Sequence, residues 1–146
     1  MAARFLFLRN EGTPTRWDAS RYFAYLERVE EQLPPDLQDL VSERRLMLSW
    51  PDSLWHARIS SFKADRECIE VAGASVENGT PFQLRYAGVL KVQTTQELYY
   101  MPSLVIQELV LLRSGVLRHT MSDLGGNLLT VHAQRLSFVW GRVGGP

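Results

Sequence analysis

Leu117-Arg118-His119-Thr120-Met121-Ser122-Asp123-Leu124-Gly125-Gly126-Asn127-Leu128-Leu129-Thr130-Val131-His132-Ala133 is the stretch whose reading decides the fold. Apolar and polar residues alternate at both ends, and adjacent glycines stand in the middle. That is the pattern of two antiparallel strands joined by a tight turn. Two registers compete. A two-residue Gly125-Gly126 turn sets Leu117, His119 and Met121 opposite Gln134, His132 and Thr130, and neither face is then apolar. A three-residue turn, Leu124-Gly125-Gly126 with Gly126 left-handed, sets the same residues opposite Ala133, Val131 and Leu129. The other face then carries Arg118, Thr120 and Ser122 against His132, Thr130 and Leu128. One apolar face and one mostly polar face are what a sheet packed on one side requires. The second register is therefore expected.

The choice of register also decides the metal question. His56, His119 and His132 are the three histidines. In the first register His119 and His132 are cross-strand neighbours about 5 Å apart, near enough to share a zinc ion. In the second they point to opposite faces, so no metal site is read, and no cofactor.

Upstream, Leu104–Leu112 reads as the strand before this hairpin, joined to it through Ser114-Gly115. A two-residue turn there places Val110 opposite His119 and Glu108 opposite Met121. Earlier still, Trp55, Ala57 and Ile59 alternate with His56, Arg58 and Ser60. A turn near Ala64-Asp65 leads to a strand over Glu67–Ala72. After the Asn78-Gly79 turn, Phe82, Leu84 and Tyr86 alternate with Gln83, Arg85 and Ala87. The last strand is read over Asn127–Trp140. Short loops between consecutive strands make neighbours antiparallel.

The front of the chain has a different texture. Phe5–Leu8 reads as a short buried strand, followed by a loop through Gly12, Thr13 and Pro14. A helix capped by Asp18 or Ser20 carries Tyr22, Leu26, Val29 and Leu33 as its inward stripe. Pro34-Pro35 stops it, and Pro35 opens a short second helix with Leu37, Leu40 and Val41. The expected class is α+β: an N-terminal helix and a short second helix packed on one face of a mainly antiparallel, hairpin-connected sheet.

Composition bounds the rest. The 146 residues suit one domain spanning 1–146, with 45% apolar residues, 22% charged residues and zero net charge. No basic field draws in nucleic acid or an anionic membrane. No apolar run approaches about 18 residues, and the one at Phe5–Leu8 is too short for a signal-peptide core. The lone Cys68 forms no intramolecular disulfide, so a reducing, cytoplasmic compartment is expected.

A helix ending in Leu33-Pro34, then Ser53-Leu54-Trp55-His56-Ala57, then a late hairpin with Leu117-Arg118-His119 and a glycine turn follow one another. This order resembles a family of small uncharacterised bacterial domains whose strands carry Ser-Leu-His-Asp-Ala and Phe-Glu-His patterns. The resemblance covers roughly residues 20–140. The chain departs from it by having Trp55 and His56 where the family tends to have His and Asp. The resemblance implies a fold and no activity.

Two sets of residues carry the functional reading. Glu108 and His119, one diagonal step apart in the two-residue register, are the catalytic candidates, because a half-buried acid beside a histidine suits proton transfer. The competing reading is a core histidine bonded to a neighbouring acid or carbonyl. No nucleophile elbow completes the pair, since Glu77 stands where Gly73-Ala74-Ser75-Val76 would need its second glycine. There is no phosphate loop and no paired-cysteine spacing. The second set is acidic: residues 18–43 hold Asp18, Glu27, Glu30, Glu31, Asp36, Asp39 and Glu43 against Arg21 and Arg28. Glu27, Glu30 and Glu31 are the expected seat for a basic protein partner, and the aromatics Trp17, Trp50, Trp55, Trp140, Tyr99 and Tyr100 supply interface anchors. The favoured reading is a non-enzymatic protein-binding domain, of the bacterial antitoxin or immunity type. The alternative is a small enzyme or ligand-binding domain using Glu108 and His119 in a pocket between helix and sheet. Oligomeric state is not encoded in these patterns.

Overall fold

Two three-stranded meanders, joined edge to edge by their longest strands, account for the sheet. The computed structural model describes residues 5–12, 17–47, 50, 52–94, 106–123 and 127–141. The first meander is β3 (Ala57–Asp65), β4 (Cys68–Ser75) and β5 (Pro81–Thr94). The second is β6 (Ile106–Leu111), β7 (Leu117–Ser122) and β8 (Leu128–Trp140). β5 pairs with β8, giving a six-stranded antiparallel sheet in the order β3-β4-β5-β8-β7-β6. A separate two-residue pairing joins β1 (Arg9–Asn10) to β2 (Trp17–Asp18).

The helical front is α1 (Ser20–Val29), extended by a 3-10 turn over Glu30–Gln32, then α2 (Pro35–Leu40) and α3 (Glu43–Leu46). The N-cap of α1 is Ala19, with no side-chain cap, so neither Asp18 nor Ser20 caps the helix as expected; Asp18 instead accepts hydrogen bonds from the Ser20 backbone at 2.9 Å and hydroxyl at 2.7 Å just before it. Pro35 opens α2, where a missing N–H costs nothing. The class is α+β, with the helices packed on the sheet face that carries Ile59, Val71, Leu84, Phe138 and Val131. No helix among the described residues is long and apolar enough to cross a membrane.

The β7–β8 register is the three-residue one: Leu117 opposes Ala133, His119 opposes Val131 and Met121 opposes Leu129. The turn itself, Leu124–Gly126, lies outside the described residues, as do Thr13, Pro14, Tyr99, Tyr100 and the first residues expected of the strand from Leu104. The polar face of this hairpin is not open to water, as a one-sided sheet would have it. Arg118, Thr120 and Ser122 are buried there, and the Thr120 and Thr130 hydroxyls bond each other at 2.9 Å.

Other expectations need correction. Phe5–Leu8 forms no strand; the chain bends there, and its amides bond a side chain instead of a ladder. Trp55 lies in a 3-10 turn, Leu54–His56, although its ring is buried. The inward stripe of α1 is Tyr22, Tyr25 and Leu26, continued by Leu33, while Val29 is only half-buried. The stripe follows the tyrosines because β6, at the edge of the sheet, leaves backbone groups open that their hydroxyls reach.

That edge is closed from the side by α1. The Tyr22 hydroxyl accepts the Leu109 N–H at 2.7 Å and donates to the Leu109 carbonyl at 2.8 Å. Tyr25 does the same for Leu111, at 2.7 and 3.2 Å. Each phenol thus imitates one residue of a neighbouring strand and blocks edge-to-edge pairing with another chain. Burial raises the Tyr22 hydroxyl well above its ordinary pKa, so it stays a donor. Tyr22→Phe should lower stability by roughly 1–3 kcal/mol in urea unfolding, because it leaves the buried Leu109 groups unpaired. Tyr25→Phe, where water can replace the hydroxyl, should cost under about 1.5 kcal/mol. A wild-type-like midpoint for Tyr22→Phe would mean that the edge is not held this way.

Candidate functional site

The position of Glu108 relative to His119 follows from one loop. β6 and β7 are joined through a three-residue turn, Arg113-Ser114-Gly115, closed by the Leu112 N–H bonding the Val116 carbonyl at 2.8 Å, with Gly115 at φ +84°. The expected two-residue turn is thus one residue short. The real register sets Leu109 opposite His119, Glu108 opposite Thr120 and Gln107 opposite Met121. Because side chains alternate, that single residue sends Glu108 to the face opposite His119. The structure does not bring the two candidates together.

His119 lies in a closed chain of hydrogen bonds on the helix-covered face. Its Nε2 is 2.8 Å from Gln107 Oε1, an acceptor, so Nε2 carries the proton. Its Nδ1 is then free to accept the Tyr86 O–H at 2.7 Å. The Gln107 amide donates in turn to the Leu40 carbonyl at 2.7 Å, at the end of α2. The chain runs from β5 through β7 and β6 to a helix, and each of its polar atoms has a use. His119 is 1% exposed, and this burial pulls its pKa down to about 3. The ring is neutral at physiological pH, with both nitrogens engaged inside the core.

Glu108 is equally committed. Its carboxylate, fully buried, accepts three successive backbone N–H groups: Leu6 at 2.8 Å, Phe7 at 2.8 Å and Leu8 at 2.9 Å. Arg118 stands 3.6 Å away on the same face. The amino-terminal segment is thereby strapped over β6 and β7, with the Phe7 ring stacked on Tyr25 at 4.6 Å. Burying an ion is costly unless its lone pairs are answered, and here the backbone answers them.

His132 lies opposite Arg118 and Lys91, on the face away from His119. Burial and these two cations lower its pKa. It is half-buried, so it is not the surface residue expected of a one-sided sheet.

The acidic candidates are placed differently. Glu27, Glu30 and Glu31 are exposed on α1 and the following 3-10 turn. Glu27, Glu30 and Glu43 border a hollow of about 200 Å³ that also includes Phe23, Leu26 and Val41. None of these four carboxylates has an ion-pair partner among the described residues. Elsewhere in the helical front Arg45 bonds Asp39 at 3.2 Å and lies over the Trp140 ring at 4.4 Å. Residue patterns do not reveal Gln107, Tyr86 or Arg118 as partners, because the pairings depend on one loop length and on the β5–β8 junction.

No family model matches this chain, and neither does any curated protein or solved structure. The site is therefore read from its own chemistry.

A neutral buried histidine makes stability depend on acid. The unfolded chain takes up a proton near the ordinary histidine pKa of about 6.5, whereas the folded one does so only near 3. Between these values the unfolded state binds more protons, so stability is lost as pH falls through this window. The contribution approaches about 1.4 kcal/mol per pH unit. Urea unfolding at pH 7 and pH 5 should show a larger loss in the wild type than in His119→Gln. Equal losses would mean that His119 is not held neutral by the fold.

Proposed function

We propose that this protein is a non-enzymatic protein-binding domain, of the antitoxin or immunity type, which seats a basic partner on the acidic face of α1. The observation that carries the reading is the hollow bordered by Glu27, Glu30 and Glu43 around Phe23, Leu26 and Val41. A lysine or arginine side chain has the complementary make-up, an apolar stem ending in a cation. Glu31 extends the same charge along the exposed surface. Carboxylates without an ion-pair partner among the described residues keep their field available to steer an approaching partner.

The alternative, a catalytic pocket built on Glu108 and His119, has less support. Both side chains are consumed by hydrogen bonds within the fold and lie on opposite faces of the sheet. A reducing, cytoplasmic setting accords with the free Cys68.

Capture from a native cell extract with the wild-type domain should yield a stoichiometric basic protein. Changing Glu27, Glu30 and Glu31 to lysine should weaken that association by about tenfold or more and flatten its salt dependence. Stability should shift by no more than about 0.5 kcal/mol per exposed site. A partner held equally well by the reversed variant, at low and high salt alike, would refute the assignment.

A further inference from the structure

A larger cleft opens before the first residue of β7, where β8 continues without a partner on that side. Pairing between them stops at Leu117 and Ala133, yet β8 runs on along β5 to Trp140. α2 reaches over the remaining edge, and Asp36 accepts the Phe138 N–H at 2.9 Å. Between these two points lies a space of about 600 Å³, within the range of roughly 300–1,000 Å³ usual for small-molecule sites.

Its walls have a definite chemistry. Leu33, Leu37, Leu117 and Leu136, all buried, give it an apolar interior. Arg85 and Arg135, both exposed, are its only charged lining residues among the described residues, which contribute no carboxylate to it. Arg85 has Glu70 at 3.7 Å, whereas Arg135 has no ion-pair partner among the described residues.

An irregularity in the β5–β8 pairing lies beside Arg135: the register shifts between Val89 and Lys91, opposite Ala133 and His132. Buried apolar positions on β8 run Leu129, Val131, Ala133 and then Leu136 and Phe138, so their alternation slips at Gln134-Arg135 and leaves two consecutive exposed residues. Opposite them Gly88 has φ +63°, and a Cβ on it would come within 2.5 Å of Gln134 Oε1. Such irregularities re-aim side chains at the borders of sites.

We propose that this cleft binds a linear amphiphile bearing a single carboxylate. The apolar chain lies over the four leucines, and the head group pairs with the guanidinium fork of Arg135, assisted by Arg85. A planar guanidinium matches a carboxylate in geometry as well as charge, and the absence of acidic residues among the described residues of the lining selects against a cationic head. The site does not rest on the acidic face of α1.

The test is calorimetric titration of the intact protein with decanoate below its micellar concentration, beside decyltrimethylammonium and decanol. Leucine methyl shifts locate the binding. One saturable site for decanoate is expected, with shifts at Leu33, Leu37, Leu117 and Leu136. Affinity should fall by about tenfold or more for the cation, and equally for decanoate on Arg135→Glu. Arg135 is exposed, and an unchanged unfolding midpoint confirms that this variant folds. The proposal is overturned by any of three results: no saturable decanoate binding to the wild type, equal affinity for all three amphiphiles, or binding indifferent to Arg135→Glu.

Discussion

β6 is enclosed on both faces and along its open edge, so each polar group it carries has to be answered from within the protein. The strand's first five residues, Ile106-Gln107-Glu108-Leu109-Val110, are all buried. An unpaired polar group in such a place costs a few kcal/mol, and an unpaired charge more. Gln107 is answered by His119 and the end of α2, Glu108 by the amides of Leu6–Leu8, and the Leu109 backbone by Tyr22. The position of α1, of α2 and of the amino-terminal strap thus follows from one strand. Apolar burial supplies the driving force, while these bonds specify a single arrangement of the parts.

The same constraint explains where function can lie. A histidine whose two nitrogens are both bonded inside the core, and a carboxylate filled by three amides, have no capacity left for a substrate. The chemistry still open is at the surface. Among the described residues Glu27, Glu30, Glu31 and Glu43 have no ion-pair partner, and neither has Arg135 beside its apolar cleft. Both features suit recognition, and their opposite signs suit different occupants.

The two hairpins of the second meander show why some of this was legible in the sequence and some was not. For Leu117–Ala133, the wrong register destroys the apolar face, so the pattern alone discriminates. For Leu104–Val116, both loop lengths leave a plausible mixture, because Gln107 and Glu108 are polar and each is buried on its own face. One residue of loop therefore reversed the placement of Glu108. Phe5–Leu8 is apolar enough to read as a strand, and nothing local to it reveals that a carboxylate about a hundred positions away takes its amides. The α1 stripe was mistaken at Val29 because hydrophobicity alone undervalues Tyr25, whose phenol is used as a hydrogen-bonding group. The cleft had one visible signal, Gly88 inside an otherwise regular strand pattern. The β5–β8 junction that gives the cleft its shape is a long-range pairing with no local signature.

Native-state hydrogen exchange at single amides tests the enclosure of β6 most directly. The account predicts that Leu109 is protected to the level of the central strands β5 and β8, because its N–H is bonded to a buried phenol. It predicts substantial protection at Leu6, Phe7 and Leu8 as well, although they belong to no helix or ladder. Rapid exchange at Leu109 and at Leu6–Leu8, as on an open sheet edge and a loose terminus, would contradict it.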